Sequence, residues 1–158
     1  MKIENNVIDW ILDGITAAIC FFTALFLLLR WSKLPEQVPS HYKMDGSVDG
    51  YSGKSSLIIL LAVACLAGII FTILLRFPKT WNLPCKVTEN NSYIVYRITK
   101  YWLSIVRIIL TASLASLVWF VCMLKPLPSW WNWAELGSLM TVSVIGILVT
   151  NAKAKKYS

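Results

Sequence analysis

Polar residues in this chain fall into clumps, and the stretches between them are almost wholly apolar. Four stretches reach the ~20 residues that a helix rising ~1.5 Å per residue needs to cross a ~30 Å hydrocarbon layer. They are residues 10–29, 56–75, 103–124 and 133–150. The pattern predicts an all-α membrane protein, a single domain over residues 1–158. Its expected form is an antiparallel four-transmembrane-helix bundle with one long ordered extracytoplasmic loop. A second long loop, 76–100, lies on the other side, and a short turn surrounds Lys125-Pro126-Leu127-Pro128.

Composition supports the same class. Of 158 residues, 57% are hydrophobic and 15% charged, with a mean hydropathy of +0.63, against ~45–50% and ~25% in soluble domains. A domain of this size cannot bury that excess, so an ordinary soluble enzyme is excluded. Disorder is excluded by the 13% aromatic content. Cys20, Cys65 and Cys122 lie in apolar runs and only Cys85 in a polar loop, which reads as small hydrophobes rather than a disulfide framework. One histidine leaves no Cys/His zinc spacing, and no cofactor is assigned.

The net charge of +7 is read through loop asymmetry rather than nucleic acid. An even number of spans puts both termini on one side. That side holds Lys2, Arg76, Lys79, Lys86, Arg97, Lys100, Lys153, Lys155 and Lys156, against Arg30, Lys33, Lys43, Lys54 and Lys125 opposite. Cytoplasmic termini in the bacterial cell membrane are therefore expected. The first stretch has no basic leader and carries Asp9 and Asp13, so a retained span is expected rather than a signal peptide. Trp10, Trp31, Trp81, Tyr101, Trp102, Trp130, Trp131 and Trp133 fall at the expected interfaces, and Glu135 beside them gets a structural reading.

The outer loop, 31–55, carries the most information. Pro35 and Pro39 force extended geometry on their neighbours, so 34–38 should leave the membrane as a stiff, strand-like segment. Asp45-Gly46 and Asp49-Gly50 are turn dipeptides, and Ser55 or Ser56 can cap the second helix. Three roles stay open for His41: a hydrogen bond to backbone, contact with a ligand or partner, or a metal or proton-relay site with Asp45 and Asp49. Since Gly46 breaks any helical register, spacing alone does not unite these groups.

Leu34-Pro35-x-x-Val38-Pro39-x-His41, followed by Gly46, Asp49 and Lys54, resembles the signature of a bacterial membrane-domain family. That family is found at the N-terminus of sporulation-delaying-protein immunity proteins. A second run, Asn82-Leu-Pro84 through Thr88 and Asn91 to Tyr96-Arg97, is similar to that family's stretch after the second span. The chain departs from longer members, which continue into further helices. The resemblance implies a small membrane protein that protects its host from a membrane-active peptide or toxin and, in some members, holds a cytoplasmic regulator. On that view Pro35, Pro39, His41, Gly46, Asp49 and Lys54 shape the outer surface. Pro84, Asn91, Tyr96 and Arg97 shape the cytoplasmic one.

Charges inside spans cost at least ~2.5–3.5 kcal/mol each and need a reason. Asp13 and Arg107 lie at similar depths, which predicts either an ion pair between the first and third helices or snorkelling to the headgroups. Ala64 with Gly68, Ala112 with Ser116, and Gly146 with Thr150 supply small packing faces. The basic segments 97–100 and 153–156 are expected to attract anionic lipid, a cytoplasmic regulator being the alternative.

Two functions follow. A non-catalytic immunity or binding protein fits the outer-loop motif and the lack of a nucleophile–base pair. The alternative is a membrane enzyme or small transporter acting on a lipid-linked or ionic substrate through His41 and nearby carboxylates.

Overall fold

Helices dominate the computed structural model, which describes residues 3–157. Met1, Lys2 and Ser158 lie outside the described residues, and so does Lys2's place in the charge count. The elements are α1 (Val7–Arg30), a 3-10 turn (Trp31–Lys33), β1 (Gln37–Tyr42), β2 (Val48–Gly53), α2 (Ser56–Leu74), a second 3-10 turn (Pro78–Thr80), α3 (Ser92–Cys122) and α4 (Trp131–Lys156). Among the described residues, α1 to α4 are each long and apolar enough to cross a membrane.

Local chemistry sets the helix ends. Asn6 opens α1 with a capping box, its side chain accepting from the Asp9 amide at 3.1 Å while Asp9 Oδ2 accepts from the Asn6 amide at 2.9 Å. Ahead of α3 the Asn91 side chain accepts from the Thr88 amide at 2.8 Å, and the Thr88 hydroxyl accepts from the Asn91 amide at 3.3 Å. This exchange lets α3 start eleven residues before the expected span, so Tyr96 and Arg97 are helical rather than loop residues. The expected serine cap of α2 does not form. Ser55 makes no side-chain cap bond, and Ser56 Oγ accepts from Ser52 instead.

The helices alternate in direction. Side-chain bonds from α1 to α3 include Asp9–Arg97, Asp13–Arg107, Thr23–Trp119 and Arg30–Cys122, all 88 to 96 residues apart, which is the mark of two parallel helices in register. Helix α4 runs against α3, since Trp131 bonds Ser116 while Asn91 bonds Ala154. The arrangement departs from a ring of four helices. Helix α3 is central, α1 and α2 pack on it and lightly on each other, and α4 packs on α3. The charges of α3 explain its place, because a helix carrying buried cations must be enclosed by partners.

The fold is not all-α. The loop between α1 and α2 is a two-stranded antiparallel hairpin, with pairing shifts that leave Ser40 and Asp49 as bulge residues. Asp49-Gly50 therefore lies inside β2 and not in a turn. Asp45-Gly46 does turn the chain: Asp45 Oδ1 accepts from the Ser47 amide at 2.9 Å, and Gly46 has φ +84°. The hairpin base is continuous with the bundle core, where Leu34, Val38 and Leu57 join Leu27, Val118, Val121 and Cys122 in one buried cluster.

Two of the expected small-residue positions are tight contacts. A Cβ on Gly68 would lie 3.1 Å from Thr16 Cγ2, and one on Gly146 would lie 2.5 Å from the Trp102 ring. Trp102 is thus a packing residue between α3 and α4 rather than part of an exposed belt. Gly137, on the same helix as Gly146, has open space around it. Thermal unfolding in detergent should separate these two glycines: Gly146→Ala is expected to destabilise by about 2 kcal/mol or more through overpacking. Gly137→Ala is expected to be neutral or to stabilise by about 0.5–1 kcal/mol through helix propensity.

Candidate functional site

Polar chemistry gathers at two opposite ends of the molecule. At the hairpin end, the tip rests on the α3–α4 turn. Gly46 is held so closely that a Cβ would meet the Leu127 carbonyl oxygen at 2.1 Å. Asn132 Nδ2 donates to the Lys43 and Met44 carbonyls at 3.4 and 3.2 Å. At the base, Lys54 Nζ bonds Glu36 at 2.9 Å and sits 5.5 Å from the Trp31 ring centroid. Pro35 is exposed, and Pro39 is half-buried within β1. Fixed at both ends, the hairpin holds His41, Met44 and Tyr51 outward.

Strand pairing brings His41 and Asp49 together despite the eight residues between them, and His41 Nδ1 bonds Asp49 Oδ1. The His41 side chain remains 74% exposed. Asp45 turns to Ser47 instead. No group of three His, Cys, Asp or Glu side chains positioned for a metal occurs among the described residues. The Ser47 hydroxyl and amide hold the Asp45 carboxyl below its ordinary value. A depressed carboxylate stabilises the turn above its unfolded pKa and loses that effect as pH falls through the lowered folded value. Faster exchange of the Ser47 amide on acidification below about pH 4, corrected for intrinsic rates, is the expected signature.

At the other end, charge runs into the helices. Asp9, 3% exposed, receives Arg97 Nη1 at 2.8 Å and Lys100 Nζ at 3.2 Å. One turn deeper, Arg107 Nη1 donates to Asp13 Oδ1 at 2.6 Å and to Thr72 Oγ1 at 2.8 Å. The Arg107 side chain is wholly enclosed, so it pairs across the interior rather than snorkelling. Arg97 also donates to the Glu4 carbonyl, and Lys100 to Asn5 Oδ1. A cavity of about 10 Å³ among Asn5, Asp9, Asp13, Thr72, Lys100 and Ser104 has the size of one water molecule.

The residues of the second motif point inward. Asn91 is buried and ties the loop before α3 to α4 through the Lys86 and Ala154 carbonyls. Tyr96 packs 6.0 Å from Trp81, Pro84 is half-buried, and Arg97 is spent on Asp9. The expected cytoplasmic surface of Asn91, Tyr96 and Arg97 is thus largely interior, and burial also withdraws Arg97 and Lys100 from the expected lipid-attracting patch. The role of Asp9 is not evident from its local sequence. The available signal was the polar stripe Arg97, Lys100, Ser104, Arg107 and Thr111, spaced alternately three and four apart and facing two aspartates four apart on α1.

Comparison with known proteins adds a partial relationship. A family model described as "Domain of unknown function (DUF1648)" matches residues 18–66. That segment holds the hairpin-side half of α1, the hairpin and the first half of α2, and therefore the whole first motif. An uncharacterised protein of Archaeoglobus fulgidus is 38% identical over 68 residues. The match covers 38% of this chain and 37% of that relative, so the chain spans well under half of the relative's length. No solved structure matches. Neither match names an activity.

Removing a partner from the interior should expose its cost. Asp9→Asn leaves two enclosed cations without an anion and is expected to destabilise by about 3–5 kcal/mol. Asp13→Asn and Arg107→Gln are each expected to destabilise, while the double change costs less than their sum by about 1–3 kcal/mol. Additive losses in detergent unfolding would show that the second pair is energetically idle.

Proposed function

We propose that the protein is a multi-pass protein of the cell membrane, with cytoplasmic termini, that binds a membrane-active peptide or toxin at its outer hairpin and so protects the host. The observation that carries this reading is the doubly anchored hairpin. A surface fixed at base and tip loses little conformational entropy on binding, so its exposed aromatic and polar groups are preorganised for a partner. The excess of basic residues at the termini end supports the orientation, and the resemblance of the Leu34-to-Lys54 run to the immunity family supports the class of ligand. A regulator at the cytoplasmic end would meet exposed positions of that loop such as Lys79, Lys86, Glu89 and Asn90.

The His41–Asp49 pair favours a second reading, in which the imidazole and carboxylate perform acid–base chemistry. Transport fits less well, because the polar interior gives way toward the hairpin to the apolar cluster of Leu27, Val38, Leu57, Val118 and Cys122.

The test is expression in a peptide-sensitive bacterial host, challenged with a panel of membrane-active peptides. The tolerated dose of at least one peptide is expected to rise. His41→Ala combined with Tyr51→Ala is expected to weaken binding of that peptide about tenfold or more, as loss of ~1.4 kcal/mol does, with membrane level unchanged. Unchanged tolerance across the panel overturns the reading. Loss of turnover of a lipid-linked substrate on His41→Ala alone would move the assignment to the second.

A further inference from the structure

Helices α1 and α2 meet only lightly, and between them runs a lateral groove of about 610 Å³. Its walls reach from Trp10 to Cys20 on α1 and from Cys65 on α2 to Arg76 just beyond that helix. Ten or eleven helical residues measure ~15–16 Å. That is half of a ~30 Å hydrocarbon layer, the depth of one leaflet. Gly68 against Thr16 and Thr111 forms the floor of the groove, which closes near mid-span where the Cys20 and Cys65 side chains hydrogen-bond to each other. Its threonines do not offer free donors, since Thr16 donates to the Leu12 carbonyl at 3.0 Å and Thr72 to that of Gly68 at 2.7 Å. Ala17, Cys20, Cys65, Ile69 and Ile73 leave the rest apolar.

The open end is charged. Arg76 is exposed at the groove mouth, just past the end of α2, and its guanidinium has no hydrogen-bond or ion-pair partner among the described residues. The only carboxylate lining the groove, Asp13, is already paired with Arg107. Around this end the four cations Arg76, Arg97, Lys100 and Arg107 outnumber the carboxylates Glu4, Asp9 and Asp13, which leaves an excess of positive charge. The α1–α3 groove differs, being lined by Ile15, Phe22, Trp119, Phe120 and Met123 with no charged residue.

Resting on the membrane assignment above but not on the function of the hairpin, we infer that the α1–α2 groove is a site for one anionic phospholipid of the leaflet at the termini end. One acyl chain lies along the groove from its mouth toward Cys20 and Cys65, and the headgroup phosphate meets Arg76. An apolar slot of one-leaflet depth, ending in an unpaired guanidinium at headgroup level, matches both parts of such a molecule. A zwitterionic lipid would bring a further cation to an end already in positive excess.

The test is native mass spectrometry of the full chain in detergent, with phosphatidylglycerol and phosphatidylcholine of identical chains supplied in turn. Retention of one phosphatidylglycerol, favoured about fivefold or more over phosphatidylcholine, is expected, since one basic side chain near anionic headgroups confers about that ratio. Arg76→Gln is expected to bring phosphatidylglycerol down to the phosphatidylcholine level. Ala17→Leu, at an exposed groove position, is expected to reduce retention of both. Equal retention of the two lipids by the unaltered protein, or selectivity that survives Arg76→Gln, overturns the site. If Ala17→Leu retains both lipids unchanged, the chain does not occupy the groove and the site is likewise overturned. Protein that stays soluble after detergent removal would instead overturn the membrane assignment, a separable result.

Discussion

Two carboxylates on α1 facing three cations on α3 are the constraint on which the rest of this structure depends. The outer surfaces of the helices are apolar, with Trp10, Ile11, Ile15, Phe21 and Phe22 of α1 all exposed, so the charges of α3 cannot be left facing outward. They are enclosed, and enclosure is tolerable only because Asp9 and Asp13 stand at matching heights. A slip of one turn between α1 and α3 would separate Asp13 from Arg107 and Asp9 from Arg97 together. The pairing therefore selects both the parallel direction and the register, and it makes α3 the post around which the other helices stand.

The interior changes character along its length. Toward the termini it is built of Asp9, Asp13, Lys100, Ser104 and Arg107. Around mid-span come Thr16 and Thr111, and toward the hairpin come Leu27, Val118, Val121 and Cys122. The two ends hold the helices by different means, directional bonds at one and close apolar packing at the other, where Phe26 also stacks on Trp119 with centroids 3.9 Å apart. Because Leu34 and Val38 belong to the same apolar cluster as Leu27 and Leu57, the hairpin is an extension of the packed end rather than an appendage. The stiffness of the hairpin thus comes from helix packing, reinforced at its tip by Asn132 and by the fit of Gly46 against Leu127.

Much of this was legible in the chain. Hydropathy found four helices with six of their eight ends within three residues, because a long apolar run permits little else. Pro35 and Pro39 announced an extended segment, and Asp45-Gly46 announced a turn. The misreadings share a cause: features that depend on contacts between distant residues look ordinary locally. The start of α3 reads as polar loop until Asp9 is placed beside Arg97 and Lys100. Asp49-Gly50 reads as a turn until strand pairing carries it opposite His41. Asn91 reads as a surface residue until its amide is found on Ala154. The Asp13–Arg107 pair could be drawn from depth alone, since both aspartates and all three cations enter from the same end.

The segment matched by the domain family runs from mid-α1 to mid-α2, and its limits divide the molecule along the same line as its chemistry. It includes Leu27, Leu34, Val38 and Leu57 and the whole hairpin, while Asp9, Asp13, Thr72 and every residue of α3 fall outside it. What is matched is thus the packed, apolar half with its presented loop, and the charged half lies outside the match. Two helices and a hairpin cannot bury Leu27, Val38 and Leu57 by themselves, because Val118, Val121 and Cys122 complete that cluster from α3. The matched unit therefore requires a third helix in register with α1, and in this chain the Asp9 and Asp13 pairs supply that register from the opposite end of the molecule. Loss of those pairs would act on the hairpin from a distance, through the α1–α3 alignment that puts Val118 under Val38.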